Sequence, residues 1–203
     1  MAFHYYLRLE SLAMDIAKDS ISKMTDSNIY YDKRGNIDGN DVDAFINNFK
    51  YGWIAASMMY NYVECTLNTI LRDCTNYKGE RLLKANMEDK LEMLYMYYKA
   101  DISILRREHW ETFKKLCKVR NELTHFKDNY IGISGGIPVY WKKPFDDIGN
   151  YFTSSSMLKV MSKIKLFCKK VATDFGLVIN EDVKFFHDED SPPYVYDSKR
   201  YGV

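Results

Sequence analysis

DVDAFINNFKYGWIAASMMYNYVECTLNTILRDC, residues Asp41 to Cys74, decides the fold. Phe45, Phe49, Gly52, Ala56, Met59, Val63, Leu67, Ile70 and Cys74 recur at steps of three and four. An α-helix advances about 100° per residue, so those steps draw one apolar seam over roughly eight turns. A seam of that length marks a long bundle or coiled-coil helix, and Asp41 is placed to cap its start.

Four further segments carry the same periodicity. The first runs from about Phe3 to Met24, with Phe3, Tyr6, Leu7, Ala13, Ala17, Ile21 and Met24 on one side. Thr25 to Asn40, rich in Asp, Asn and Gly, reads as a loop with an extended piece at Ile29 to Tyr31. The third helix spans about Gly79 to Tyr98, with Leu83, Met87, Leu91, Leu94 and Tyr98 in register. The fourth runs from about Arg106 to Phe126. After it, Gly132, Gly135, Gly136, Pro138 and Pro144 exclude a long helix from Tyr130 to Asn150, while Ile131 to Trp141 suits a small hairpin. The fifth, about Ser154 to Phe175, repeats Met157, Met161, Ile164, Cys168, Val171 and Phe175. The strand signal is too thin for a sheet-based fold. The expectation is an all-α bundle of about five helices, with an irregular loop or small hairpin after the fourth. Residues 1–176 form the bundle, and 177–203, with Pro192-Pro193, form a tail packed on it or partly disordered.

Composition narrows the function classes. Apolar residues make up 46% of the 203 and charged residues 28%, a globular balance. The net charge of +1 supplies no global field toward nucleic acid or membrane, so any basic surface is local. Cys65, Cys74, Cys117 and Cys168 show no CxxC spacing and the four histidines are dispersed, which argues against a metal site. Three of these cysteines fall on apolar helical stripes, as reduced thiols do. There is no P-loop, GxSxG or HExxH, and the glycine-rich run Ile133 to Ile137 lacks the Lys of a phosphate cradle. No cofactor is implied. No apolar run approaches the roughly 18 residues of a membrane span, and Met1 to Glu10 lacks the pattern of a signal peptide. A soluble, cytoplasmic chain without a membrane partner is expected. Most of the 17 tyrosines fall inside seams, and some are available to stack on bases.

The fourth helix, RREHWETFKKLCKVRNELTHF, carries the chemistry. With Phe113 set at zero on a helical wheel, Trp110, Leu116, Cys117 and Leu123 fall within about 80° and form the buried stripe. Arg120 falls at about −20°, in the middle of that stripe. A guanidinium there is costly unless it is paired or reached by solvent or ligand. Asn121 and His125 lie at the stripe's edge, four residues apart and therefore neighbours. His125 sits at the helix's C-terminal end, where the macrodipole favours an imidazolium, and a histidine near its titration point suits proton transfer. Arg107, Lys114 and Lys118 share that edge, an arrangement suited to a phosphate backbone. Each residue also has a plainer reading: the lysines as a solvated face, His125 as a cap, and Arg120 in an ion pair with Glu64 on the second helix.

Arg120-Asn121-Glu122-Leu123-Thr124-His125 resembles the R-x4-H motif of the HEPN superfamily (higher eukaryotes and prokaryotes nucleotide-binding domains). In those helical bundles a polar residue often follows the Arg, as Asn121 does here. An earlier long helix carries Glu64 in an aromatic setting with Tyr60 and Tyr62. The architectural resemblance covers about Ala2 to Phe175, the motif only six residues. It implies a metal-independent endoribonuclease acting as a homodimer with the two motifs facing each other, serving as a toxin or a phage-defence or stress effector. His125 would then move protons, Arg120 would hold phosphate oxygens, and Asn121 would orient the phosphate or the histidine, with Glu64 in support. An antitoxin or regulatory protein is an implied partner. The chain departs from toxins whose motif continues as H-x-Y, since His125 is followed by Phe126 and Lys127, so control by tyrosine modification is not implied. The alternative is a non-catalytic dimeric module of the same fold that binds RNA, nucleotide or protein. A purely structural bundle is the third reading.

Overall fold

The computed structural model describes residues 6–7, 9–26, 42–75, 85–98, 109–124, 133–134, 137–138, 151–179, 186–187 and 194–196. Within them are five helices: α1 (Leu9–Ser22), α2 (Val42–Thr75), α3 (Met87–Tyr98), α4 (Trp110–Thr124) and α5 (Ser154–Asp174). The all-α bundle expected from the seams is what the chain forms. Strands of two or three residues make three antiparallel pairs at its margins.

Helix α2 is the centre, and it touches each of the other four helices, α1 most extensively. Its seam is buried wherever its side chains are described: Ala56, Met59, Val63 and Ile70 are fully inaccessible, Gly52 and Leu67 are buried, and Phe49 packs against the core, while the Phe45 and Cys74 side chains lie outside the description. Burial reaches beyond that seam to Asn48, Ala55, Tyr62, Thr66 and Leu71, because helices cover α2 from several sides. The buried polar groups on it are satisfied. The Thr66 hydroxyl donates to the Tyr62 carbonyl at 2.8 Å. Asn48 is bonded twice to the backbone of Thr25, accepting from its N–H at 2.8 Å and donating to its carbonyl at 3.0 Å.

That Thr25 carbonyl also accepts from the Ser154 N–H at 3.2 Å, and Asp26 accepts from the Ser155 N–H at 2.6 Å. The end of α1, the first part of α2 and the start of α5 are therefore tied at one point. Thr153 caps α5 through its side chain, which accepts from the Ser156 N–H. At the other end Gly176 takes a φ of 75°, the left-handed conformation open to glycine, and the chain turns into β4 (Leu177–Ile179). The β4 strand pairs with β6 (Tyr194–Tyr196).

Helix boundaries differ from the sequence expectation where local bonds compete. Helix α1 begins at Leu9 rather than Phe3, because Tyr6–Leu7 (β1) pairs with Phe186–His187 (β5) instead. Helix α3 begins at Met87 rather than near Gly79. Asn86 caps it, with Oδ1 accepting from the Asp89 N–H at 2.9 Å and Nδ2 donating to the Asp89 carboxylate at 2.5 Å. Helix α4 begins at Trp110, after a turn at His109, and is described to Thr124; the end expected near Phe126 lies outside the described residues. The hairpin expected after the fourth helix is present as β2 (Ile133–Ser134) and β3 (Ile137–Pro138), joined by two glycines. Asp41, the extended piece at Ile29 to Tyr31 and the start expected for the third helix lie outside the described residues. Among the described residues no helix is long and apolar enough to cross a membrane.

Gly52 allows the Phe152 ring, which is buried and edge-on to Phe49, to lie directly on α2. A Cβ at position 52 would meet that ring at 2.5 Å. Gly52→Ala should therefore destabilise the protein despite alanine's advantage of about 1 kcal/mol in a helix interior, since overpacking costs about 1–3 kcal/mol. Urea denaturation should give a lower midpoint; a higher midpoint would show that Phe152 does not sit where we place it.

Candidate functional site

Helix α4 is fixed in its roll by aromatic packing. The Phe113 ring stacks on Phe167 of α5 at 4.9 Å between centroids, and Trp110 lies 5.6 Å from Phe113 and 6.4 Å from Phe167. Leu116 and Leu123 complete the buried side. With this roll, Lys114, Lys118 and Asn121 are exposed along one edge. Arg120 is half-buried.

The position of Arg120 in the apolar stripe is resolved by an aromatic ring. Its guanidinium carbon lies 4.6 Å from the centroid of Tyr60 on α2, and Nη1 donates to Asn121 Oδ1 at 3.1 Å. A cation over a ring face is worth about 0.5–2 kcal/mol, and partial exposure removes much of the desolvation penalty. The Tyr60 phenol is raised above its ordinary pKa, by burial first, with the Arg120 charge pulling the other way. The Thr124 hydroxyl donates to the Arg120 carbonyl at 2.7 Å, closing the last turn. A guanidinium carries five N–H donors in a planar fork, so one bond to Asn121 leaves capacity to grip a phosphate.

The ion pair between Arg120 and Glu64 is not formed. Glu64 accepts from Lys90 of α3 at 3.1 Å, and Lys90 also donates to Asn68 at 3.0 Å. Lys90 is fully buried and Glu64 is 37% exposed. The physical reason is reach and need: a buried ammonium must have a partner, whereas Arg120 is already stabilised by Tyr60 and solvent. Glu64 is one helical turn beyond Tyr60, so it borders the arginine without touching it. Lys90 was missed because it lies between Met87 and Leu94 in an apolar stripe; a lysine in such a stripe was itself the signal that an acid must face it. Tyr60 had only its place four residues before Glu64 to mark it.

The structure thus brings together Arg120, Asn121 and Tyr60, with Lys114 and Lys118 exposed on the same helix. Helix α4 is described as far as Thr124, and His125, next in the chain, lies outside the described residues together with Arg107. Burial pushes the Cys117 thiol up to about 12, with Glu88 adding to the rise. Cys117 is thus an inert thiol on the buried side of the helix and no nucleophile. Among the described residues no group of His, Cys, Asp and Glu is arranged to hold a metal. In comparisons with known proteins, no family model, no curated protein and no solved structure matches the chain. The HEPN resemblance therefore rests on the motif and the helix that carries it.

The buried Lys90 makes Glu64 a structural residue whose loss is measurable. Glu64→Ala should lower stability by about 2 kcal/mol, discounted for the carboxylate's exposure. The double variant Glu64→Ala, Lys90→Met should recover most of that loss, because no buried charge is then left unpaired. Equal stability of Glu64→Ala and wild type in urea would overturn the assignment.

Proposed function

We propose that the chain is a metal-independent endoribonuclease of HEPN type, and that the observation carrying this reading is the state of Arg120. It is a cation on the last turns of α4, held by Tyr60 and Asn121, five residues before His125. Among the described residues no carboxylate pairs with this guanidinium, which is stabilised by a ring face and a neutral amide. Such a group attracts an anion. An arginine locked to Glu64 would have argued for structure alone.

In this reading RNA lies along the exposed edge of α4. Lys114 and Lys118, with Arg107 upstream, contact successive phosphates. Arg120 holds the non-bridging oxygens of the scissile phosphate and offsets the charge that develops there. Asn121 fixes the rotamer of Arg120 through its carboxamide oxygen. His125 assists proton transfer as the ribose 2′-OH attacks phosphorus and the 5′-oxygen departs. The products are a 2′,3′-cyclic phosphate and a 5′-hydroxyl, formed without a metal-bound water.

A helical turn carried through His125 would put it about 140° from Arg120, which suits a site shared between two chains. The arginine would come from one copy and the histidine from the other. Ile46 and Trp53 support a second copy on this side of α2. They are 55% and 41% exposed, and they precede Tyr60 at intervals of seven residues, on the flank that leads to Arg120. A cytoplasmic toxin or a phage-defence or stress effector, restrained by an antitoxin or regulatory protein, is the setting this activity fits. A non-catalytic RNA-binding module of the same shape is the reading that remains if no cleavage occurs.

Purified protein with mixed cellular RNA tests the proposal. His125→Ala and Arg120→Ala should each lose at least about 100-fold in cleavage rate, the scale of general acid–base and oxyanion contributions. Mixing the two inactive variants should restore a fraction of the activity, because a mixed dimer rebuilds one complete site. Lys114→Ala and Lys118→Ala should weaken binding with little change in the rate at saturation. Full activity in His125→Ala would exclude the catalytic role of the histidine. A wild-type chain that binds RNA without cutting it would favour the module.

A further inference from the structure

Helix α5 carries five lysines, Lys159, Lys163, Lys165, Lys169 and Lys170, against a single acid, Asp174. That is +4 on one helix in a chain whose total is +1, so the remainder is net acidic. All five lysines are exposed, while Met157, Val160, Met161, Ile164, Phe167, Cys168, Val171 and Ala172 bury the opposite side. The acid sits at the end of the helix. It accepts from the Tyr95 hydroxyl at 2.8 Å and lies 3.9 Å from Lys170.

A solvated helix face ordinarily alternates signs at spacings of four, which stabilises it by a few tenths of a kcal/mol per pair. Here Lys159 and Lys163 repel at that spacing. Repulsion of like charges on one face is relieved by an anionic ligand. Lys159, Lys163 and Lys170 fall within about 40° of one another on the helical wheel. They form a ridge about 16 Å long at 1.5 Å per residue. The ridge is long enough to run beside several successive phosphates of one strand.

We propose that the outer face of α5 is a sequence-independent track for the sugar–phosphate backbone of RNA, additional to Lys114 and Lys118 on α4. The proposal rests on reading the Arg120–His125 segment as acting on RNA. Charge complementarity selects this occupant over an anionic membrane. The apolar side of α5 is locked in the core, which leaves only Leu158 and Leu166, 43% and 52% exposed, to enter a lipid layer.

The test uses the full chain carrying His125→Ala, so that binding is read without cleavage. Fluorescence anisotropy with a 20-nucleotide single-stranded RNA gives affinity and its salt dependence. The triple substitution Lys159→Gln, Lys163→Gln, Lys170→Gln should weaken binding about 10-fold or more near 100 mM salt and reduce the slope of log K against log salt by about 2. The triple Lys→Arg variant should retain both. Circular dichroism guards against a folding defect. Unchanged affinity and slope in the glutamine variant would overturn the proposal, as would co-sedimentation of the starting chain with phosphatidylserine vesicles in the absence of RNA binding. A His125-intact chain that fails to cleave RNA, alongside a glutamine variant that loses binding, would sink the nuclease reading and leave the track standing. Cleavage by the intact chain with no binding loss in the variant would do the reverse.

Discussion

A 34-residue helix that is apolar over a broad arc cannot stand in water alone, and the rest of the structure follows from covering α2. Helix α1 takes one side, α5 and α4 take others, and α3 closes the later turns. Burial of this kind is nearly nondirectional, so polar contacts supply the register. The Thr25 backbone, bonded to Asn48 and to Ser154, sets where α1 ends and where α5 begins. Phe152 lying on Gly52 then sets how closely the start of α5 approaches α2. Neither contact is strong alone, since a net hydrogen bond contributes about 1 kcal/mol. Together they choose one packing among the several that the seam permits.

The same covering fixes the exposed edge of α4. Stacking of Phe113 on Phe167 turns α4 so that Lys114, Lys118 and Asn121 face outward. That roll brings Arg120 over the flank of α2, where Tyr60 is only partly covered. Two cations that face neighbouring turns of α2 receive different solutions. Lys90 is enclosed and takes the Glu64 carboxylate. Arg120 is near solvent and takes a ring, with no carboxylate paired to it among the described residues. The difference is what separates a structural cation from one that can serve a ligand.

Much of this was legible in the residues. The three-and-four spacing of Phe49 through Ile70 gave the central helix, and Met157 through Phe175 gave α5 nearly to the residue, because long seams average over local exceptions. Helix starts were harder. Asn86 caps α3 just before Met87, and Tyr6–Leu7 leaves the helix for a strand partner about 180 residues away, which no local pattern encodes. The central position of Arg120 was visible on the wheel, whereas its partner was not. Tyr60 and Glu64 lie on the same flank of α2, and sequence alone cannot decide between them. The decision came from Lys90, a residue 26 positions beyond Glu64 that claims the carboxylate.

The chemistry of the cut end tests the central claim most directly. Purified protein is incubated with a defined single-stranded RNA in excess chelator, and the 3′ termini are mapped. The account requires cleavage to persist without divalent metal and to leave a 2′,3′-cyclic phosphate or the 3′-phosphate derived from it, because Arg120 and His125 activate the ribose 2′-OH and not a water. Cleavage that stops with the chelator, or that leaves a free 3′-hydroxyl, would contradict it.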